Sequence, residues 1–513
     1  MSYPQTAQTL PQLIRAAASA YGDDVAIRLA DGESGAELGS TAMSFVELER
    51  QSSSIAKGLL ARGIGKGARV GFIFSNGPGF ALLLCAIARI GAVAIPISTM
   101  IRSGELVRVL RQSDVSGLIV QREVLGHDLP TRLCEALPGL TSGDAGALRL
   151  AEAPYLRWII SSGEGLPASF CRLDYLTDLA DSITDALLLA VEAEVHTADQ
   201  IVEIYTSGST ALPKGVRHNH GPVLFRTHYL RSMLGQHRGK QVPVPLPMFW
   251  VGGLMMYLLP GLEAGATSVC STRTLNNSQA AMGSVLAEDD LAKLAQNPKP
   301  WWGLGMSETL GPYSYADEFR APGFPICAPM DHFADGYEVR IADENNQPVG
   351  DNEVGEMQLR GYPVAPALHK IERADHFTQD GYLKTGDMCL VDGNRVHFVG
   401  RGGDIIKTAG SNVSPAEVEM ELQALEGIHS AFVVGLPDRE RGQLLVAAVV
   451  PRDGATLDFF AIEAEMRKRL SPYKVPRGWA QITRDEVPLL HSNKVARREI
   501  AAMMAEKLGH PTL

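Results

Sequence analysis

Two apolar runs joined by an apolar helix, with glycine between them, constrain this chain most. RVGFIF from Arg69 reads as a buried strand, SNGPG as a turn, Phe80 to Ile90 as a helix stopped by Gly91, and AVAIPI as a second strand. Strands apolar on both faces need cover on both sides, and strand, helix, strand in this order makes the two strands parallel. Upstream, Phe45, Leu48, Ile55 and Leu59 recur at helical spacing between Ser44 and Gly67. SDVSGLIV, YLRWIISS and IVEIY, ending at Tyr205, add strands, and Leu173 to Ala193 reads as helix or helices. The expected class is α/β, a large N-terminal body of mixed or parallel sheets with flanking helices.

After Gly323 the texture shifts to short alternating segments separated by turns such as ENN and DNE, which predicts a small β-rich subdomain, antiparallel or barrel-like. At Gly400-Arg401-Gly402-Gly403 adjacent glycines can absorb a large backbone rotation, so a boundary is expected there. Two domains follow, 1–400 and a mobile C-terminal α+β domain, 401–513. In the latter SPAEVEMELQAL reads as helix, with Ser414 as cap and Glu417 at the capping-box position. AFVVGL and LLVAAVV read as strands and FAIEAEMRKRL as a further helix.

Lys and Arg total 47 against 58 Asp and Glu, and this acidic balance argues against nucleic acid as a partner. The six cysteines show no CxxC pair and no tight Cys/His cluster, which points to free thiols in a reducing compartment. MSYPQTAQTLPQLI lacks a cationic stretch leading into an apolar core, so a cytoplasmic location is expected. Gln241 to Leu262 is uncharged, but Pro243, Pro245, Pro247, Pro260 and Gly252-Gly253 favour buried strand and loop over a transmembrane segment.

The chemistry concentrates after IVEIY, in Thr206-Ser207-Gly208-Ser209-Thr210-Ala211-Leu212-Pro213-Lys214-Gly215. Hydroxyls, a glycine and a lysine can ring phosphate oxygens, although the same composition also suits a surface turn. The Walker order is absent. TSGSTALPKG resembles the phosphate loop of the adenylate-forming superfamily: acyl-CoA synthetases, luciferases and peptide-synthetase adenylation domains. PMFWVGG, GLGMSET, DGYLKTGD, GRGGDIIKTAGSNVSPAEVE, SPYKVPR and SNKVARREI follow in family order.

The resemblance implies two half-reactions. A carboxylate attacks the α-phosphate of ATP, and a thiol, usually that of coenzyme A, then attacks the acyl-adenylate. It implies that Thr206 to Thr210 and Lys214 hold the β- and γ-phosphates, that Glu308 is the Mg²⁺ ligand, and that Ser307 touches the α-phosphate or the acyl carboxylate. Asp387 would bind the ribose hydroxyls, and Arg401 the ribose or phosphates. Lys494 would be the adenylation lysine. Trp250, Gly252, Gly253 and Gly305 belong by resemblance to the acyl and thiol site, Gly402 and Gly403 to the hinge, and Gly410 to the loop on the coenzyme A side. His218 and His220 receive a structural hydrogen-bond role.

The chain departs from the family pattern at several positions. Ala211 replaces a phosphate-loop glycine, Leu304 an aromatic that stacks on adenine, Gly403 the usual Asp or Lys, and Asn493 the glycine before Lys494. Trp250 to Glu308 is roughly forty residues short, with the shortening falling between 270 and 303. SSGEGLP, at 161–167, echoes an adenine-side loop but lies before the phosphate motif. The reading is an ATP-dependent acid–thiol ligase for a medium- or long-chain or other hydrophobic acid. The alternatives are an enzyme loading an acyl carrier protein in trans and a catalytically impaired nucleotide-binding homologue. A homodimer suits a metabolic enzyme of this size.

Overall fold

Ser44 starts the first long helix with reciprocal bonds: its hydroxyl accepts from Glu47 N (3.2 Å) and its own N–H donates to the Glu47 carboxylate (2.8 Å). The helix, Phe45–Ala61, buries Phe45, Leu48, Ile55 and Leu59, the stripe its periodicity predicts. At Gly58 the backbone of helix Asp174–Ala180 comes so close that a Cβ would lie 2.0 Å from the Leu176 carbonyl oxygen. The computed structural model describes residues 7–33, 41–142, 144–206, 213–271, 304–314, 326–329, 333–401, 406–413, 415–488, 495 and 497–510.

The glycine-punctuated runs build the centre of an eight-stranded sheet. Its order is Ala367–His369, Lys214–Asn219, Gln200–Thr206, Val93–Pro96, Arg69–Ile73, Gly117–Val120, Trp158–Ser161 and Phe170–Arg172. The six strands from Gln200–Thr206 onward pair in parallel. The two strands at the other edge are antiparallel. Helix Pro78–Arg89 between two of the parallel strands is buried along its whole length, as cover on both faces requires.

Arg89, which interrupts that apolar helix, is fully buried and ties three helices together. It donates to Glu192 (2.5 Å), to Glu49 (2.8 Å) and to the Ser52 hydroxyl (2.9 Å). A charge out of water is tolerated here because carboxylates and hydroxyls meet its donors.

A second sheet orders Gln241–Val244, Thr267–Cys270, Val25–Leu29 and Ala42–Ser44, joining the N-terminal segment to one more than 200 residues away. The proline-rich segment departs from expectation. Only Gln241–Val244 is strand, and Val251–Ala264 is helical, with a π-helical stretch at Leu254–Leu258 ahead of Pro260. The wider π register accommodates a proline that an unbroken α-helix would reject. No helix among the described residues is long and apolar enough to cross a membrane.

The texture change after Gly323 corresponds to a five-stranded antiparallel sheet: Ile326–Pro329, Arg395–Arg401, Leu383–Asp392, Val354–Gly361 and Tyr337–Ala342. Residues 406–510 form another five-stranded sheet around strands Ile428–Asp438 and Gly442–Pro451, with apolar clusters of their own on both faces. Helix Pro415–Gln423 forms as expected. Ser414 lies outside the described residues, and the Glu417 carboxylate accepts from Lys474 (3.0 Å). Five cysteines, Cys85, Cys134, Cys171, Cys270 and Cys389, carry free thiols.

Candidate active site

Parallel strands leave a crevice beyond their carboxyl ends, where the loops diverge. Here strands Val93–Pro96 and Gln200–Thr206 end at a cavity of about 360 Å³, bounded on its far side by the small domain. Ile97, Ile101, Leu246, Phe249 and Trp250 give one wall an apolar character. Thr206 and Pro213, which flank the phosphate loop, line it as well.

The GMSE segment enters through a short strand pair, Gly305–Met306 against Gly311–Pro312. A Cβ on Gly305 would lie 2.8 Å from Pro312 Cα, so glycine is needed for this approach. Ser307 lines the cavity, and its carbonyl accepts a 2.8 Å hydrogen bond from buried His218 Nε2. Burial pushes His218 down to about 4 and His220 down to about 3, so both rings stay neutral. His220 Nδ1 accepts from Leu10 N (3.2 Å). The Glu308 carbonyl accepts from Ala365 N (2.7 Å), and its carboxylate charge acts on Lys214. Lys214 is buried, which lowers its pKa against the opposing pull of Glu308 and Asp375. Its Nζ lies 3.3 Å from His376 Nε2.

Trp250 stands edge-on to Phe249 (centroids 5.5 Å apart) on the cavity wall. Gly252 lines the cavity, and a Cβ there would meet Leu246 at 2.7 Å. Gly253 turns away: a Cβ would lie 2.2 Å from the Pro247 carbonyl oxygen, so its bareness serves the chain's own turn. Asp387 does not line the cavity; it is buried and accepts from the Tyr313 hydroxyl (3.1 Å). Its strand places it directly opposite Arg401. Leu304 packs in an apolar cluster with Tyr313, Met357 and Leu359.

From the small domain, hairpin Ile406–Thr408 and Ser411–Val413 carries Gly410 to the cavity. Ala409 (φ 49°) and Gly410 (φ 78°) form its tip, the two consecutive positive φ values of a type I′ turn. Ser207, Gly208, Ser209, Thr210, Ala211, Gly402, Gly403 and Lys494 lie outside the described residues, as does segment 272–303.

Sequence reasoning passed over the charged seam beneath the hairpin. Glu105, on helix Ser103–Ser113 of the body, accepts from Ser471 N (3.0 Å), Ser471 Oγ (2.8 Å) and Lys474 Nζ (2.6 Å). Burial pulls the Lys474 ammonium down, but Tyr473, Glu105 and Glu417 outweigh it and hold the group above the usual lysine range. Burial, with Glu105 adding to it, raises Glu417 against the pull of Lys474. Arg108 reaches Glu421 at 2.8 Å across the same seam. Lys474 stands inside the SPYKVPR motif, but a partner 369 positions away leaves no trace in that motif.

The cavity, the phosphate-loop strands and the hairpin form the layout of an adenylate-forming enzyme. Residues 14–289 match the family model described as AMP-binding enzyme, and residues 417–494 that of the AMP-binding enzyme C-terminal domain. The chain belongs to this family and lies close to the acyl-CoA synthetases. It is 28% identical to a feruloyl-CoA synthase of Amycolatopsis sp, covering 90% of this chain and 94% of that one. To the putative acyl-CoA synthetase YngI of Bacillus subtilis it is 26% identical over 96% of both. Among solved structures, o-succinylbenzoate CoA synthetase (MenE) of Bacillus subtilis superposes with a TM-score of 0.73 at 20% identity, covering 96% of this chain and 98% of that one. The amide bond synthetase McbA of Marinactinospora thermotolerans gives 0.71 at 21% identity, covering 96% and 99%. These likenesses establish the mixed α/β fold with its N-terminal body and C-terminal domain.

Proposed function

We propose that this chain is an ATP-dependent acid–CoA ligase acting on a hydrophobic carboxylic acid. The observation carrying this reading is the apolar cavity, with strands flanking the phosphate loop at one side and the Gly410 turn at the other. In the first half-reaction a substrate carboxylate oxygen bonds to the α-phosphorus of ATP as the bond to the β-phosphate breaks and pyrophosphate leaves. In the second the thiol sulfur bonds to the acyl carbon, its proton passes to solvent, and the bond to AMP breaks.

Lys214 offers a cation to the transferring charge, and Lys494 is assigned to the α-phosphate and the attacking carboxylate. Asp387, oriented by Tyr313, presents a carboxylate suited to ribose hydroxyls. Ser307, held by its own carbonyl against His218, lines the cavity and is assigned to the α-phosphate or the acyl carboxylate. Glu308, whose carboxylate charge acts on Lys214, is the residue that would hold Mg²⁺, a hard cation suited to an oxygen ligand. When bound, such an ion would supply neutralisation of charge on the leaving pyrophosphate.

The feruloyl, indoleacetate and 2-succinylbenzoate ligases among the relatives span varied acids. Within that range the Ile97, Ile101 and Phe249 wall favours an apolar acyl group, medium- or long-chain or aryl. The test is pyrophosphate release from purified protein with Mg-ATP, coenzyme A and acids from acetate to stearate plus aryl acids. Acid-dependent release that yields acyl-CoA and is lost in Lys494→Ala is expected. Release without acyl-CoA would assign the acceptor to a carrier protein instead, and a folded protein that releases nothing would sink the ligase reading.

A further inference from the structure

Lys214 does not stand alone at the phosphate end of the site. Strand Ala367–His369 pairs with the strand Lys214–Asn219, matching His369 to Gly215 and Leu368 to Val216. Downstream of that pairing the chain makes the short helix Arg373–His376, anchored by Arg373 Nη1 on the Pro366 carbonyl (2.7 Å) and by buried Phe377. The result places His376 Nε2 at 3.3 Å from Lys214 Nζ. With Lys214 cationic, its ammonium donates and Nε2 accepts, which leaves the ring proton on Nδ1.

Resting on the ATP-dependent reading above, we propose that His376 is a second donor to the β- and γ-phosphates, working with Lys214 to hold the end of the triphosphate that leaves as pyrophosphate. A buried ammonium whose neighbour is a half-buried imidazole has no counter-charge in direct contact through that bond, and both groups can turn their N–H bonds to an anion arriving beside them. Burial lowers His376, and nearby Lys214 and Lys384 press in the same direction against Asp375. Burial likewise lowers Lys214, with Glu308 and Asp375 opposing. A polyphosphate oxygen arriving there favours the charged form of both groups and turns His376 from acceptor into donor. Because the pair lies where the phosphate loop runs into strand Lys214–Asn219, it is assigned to phosphates beyond the first and leaves AMP untouched.

The experiment compares the full-length protein with His376→Ala and His376→Gln, after thermal melts verify that each is folded. Titrations use ATP, inorganic pyrophosphate and AMP separately. Loss of one charge-assisted hydrogen bond should weaken ATP and pyrophosphate roughly tenfold in His376→Ala. AMP affinity should stay unchanged, and His376→Gln, which keeps a neutral donor, should recover part of the loss. Equal weakening of ATP and AMP would overturn the proposal, since a purely structural role predicts it, and so would unchanged binding of all three. A wild-type protein that binds AMP but neither ATP nor pyrophosphate would overturn the ligase reading itself, and this proposal with it.

Discussion

His218 shows what a buried side chain can contribute without meeting a substrate. It holds the Ser307 carbonyl from a fully enclosed position, and burial keeps its pKa at about 4. In the unfolded chain a histidine titrates near 6.5, so below that pH the unfolded state binds the extra proton. Stability is therefore complete above about pH 6.5 and falls as pH drops toward 4, by about 1.4 kcal/mol per unit for one such group. Thermal melts between pH 7.5 and 5 should show this decline, and His218→Gln should flatten part of it. The structural hydrogen-bond role of both histidines was legible in the sequence, whereas the burial that keeps them neutral was not. Tyr313, Glu105 and His376 were not, because each acquires meaning only from a partner 74, 366 or 162 positions away.

Elements were legible where local chemistry and burial agree. Continuous apolar runs ended by glycine gave the parallel strands and the helix between them, and the spacing of Phe45, Leu48, Ile55 and Leu59 gave Phe45–Ala61. Val251–Ala264 was misread because its glycines and Pro260 oppose a helix locally, while packing of Leu254, Met255, Leu258 and Leu259 in the core overrides that preference. Arg89→Met would leave the Glu49 and Glu192 carboxylates with Arg15 as their remaining cation and should destabilise the fold by up to about 3–5 kcal/mol, read by denaturant unfolding. Adding Glu192→Gln should recover part of that loss. At the hairpin tip, Gly410→Val puts a β-branched residue at φ 78° and should cost about 1–2 kcal/mol locally. It should slow the thiol half-reaction more than acyl-adenylate formation, measured in single turnovers.

On the scale of the whole molecule, the two-domain α/β plan followed from the order of motifs, whereas the relation between the domains did not. That relation rests on Glu105, Ser471 and Lys474 and on Arg108 with Glu421. Because this arrangement brings Gly410 to the cavity, Glu105→Ala should slow thiol transfer roughly tenfold and leave adenylation near wild type in single-turnover assays. Equal loss in both steps would assign Glu105 to folding alone. The character of the seam has a second consequence. Carboxylates, ammonium and guanidinium groups are readily rehydrated, so surfaces joined by them can part without baring a greasy face to water. Were the small domain to swing away from a seam of this kind, the parted surfaces would take up water and resist clumping with their neighbours.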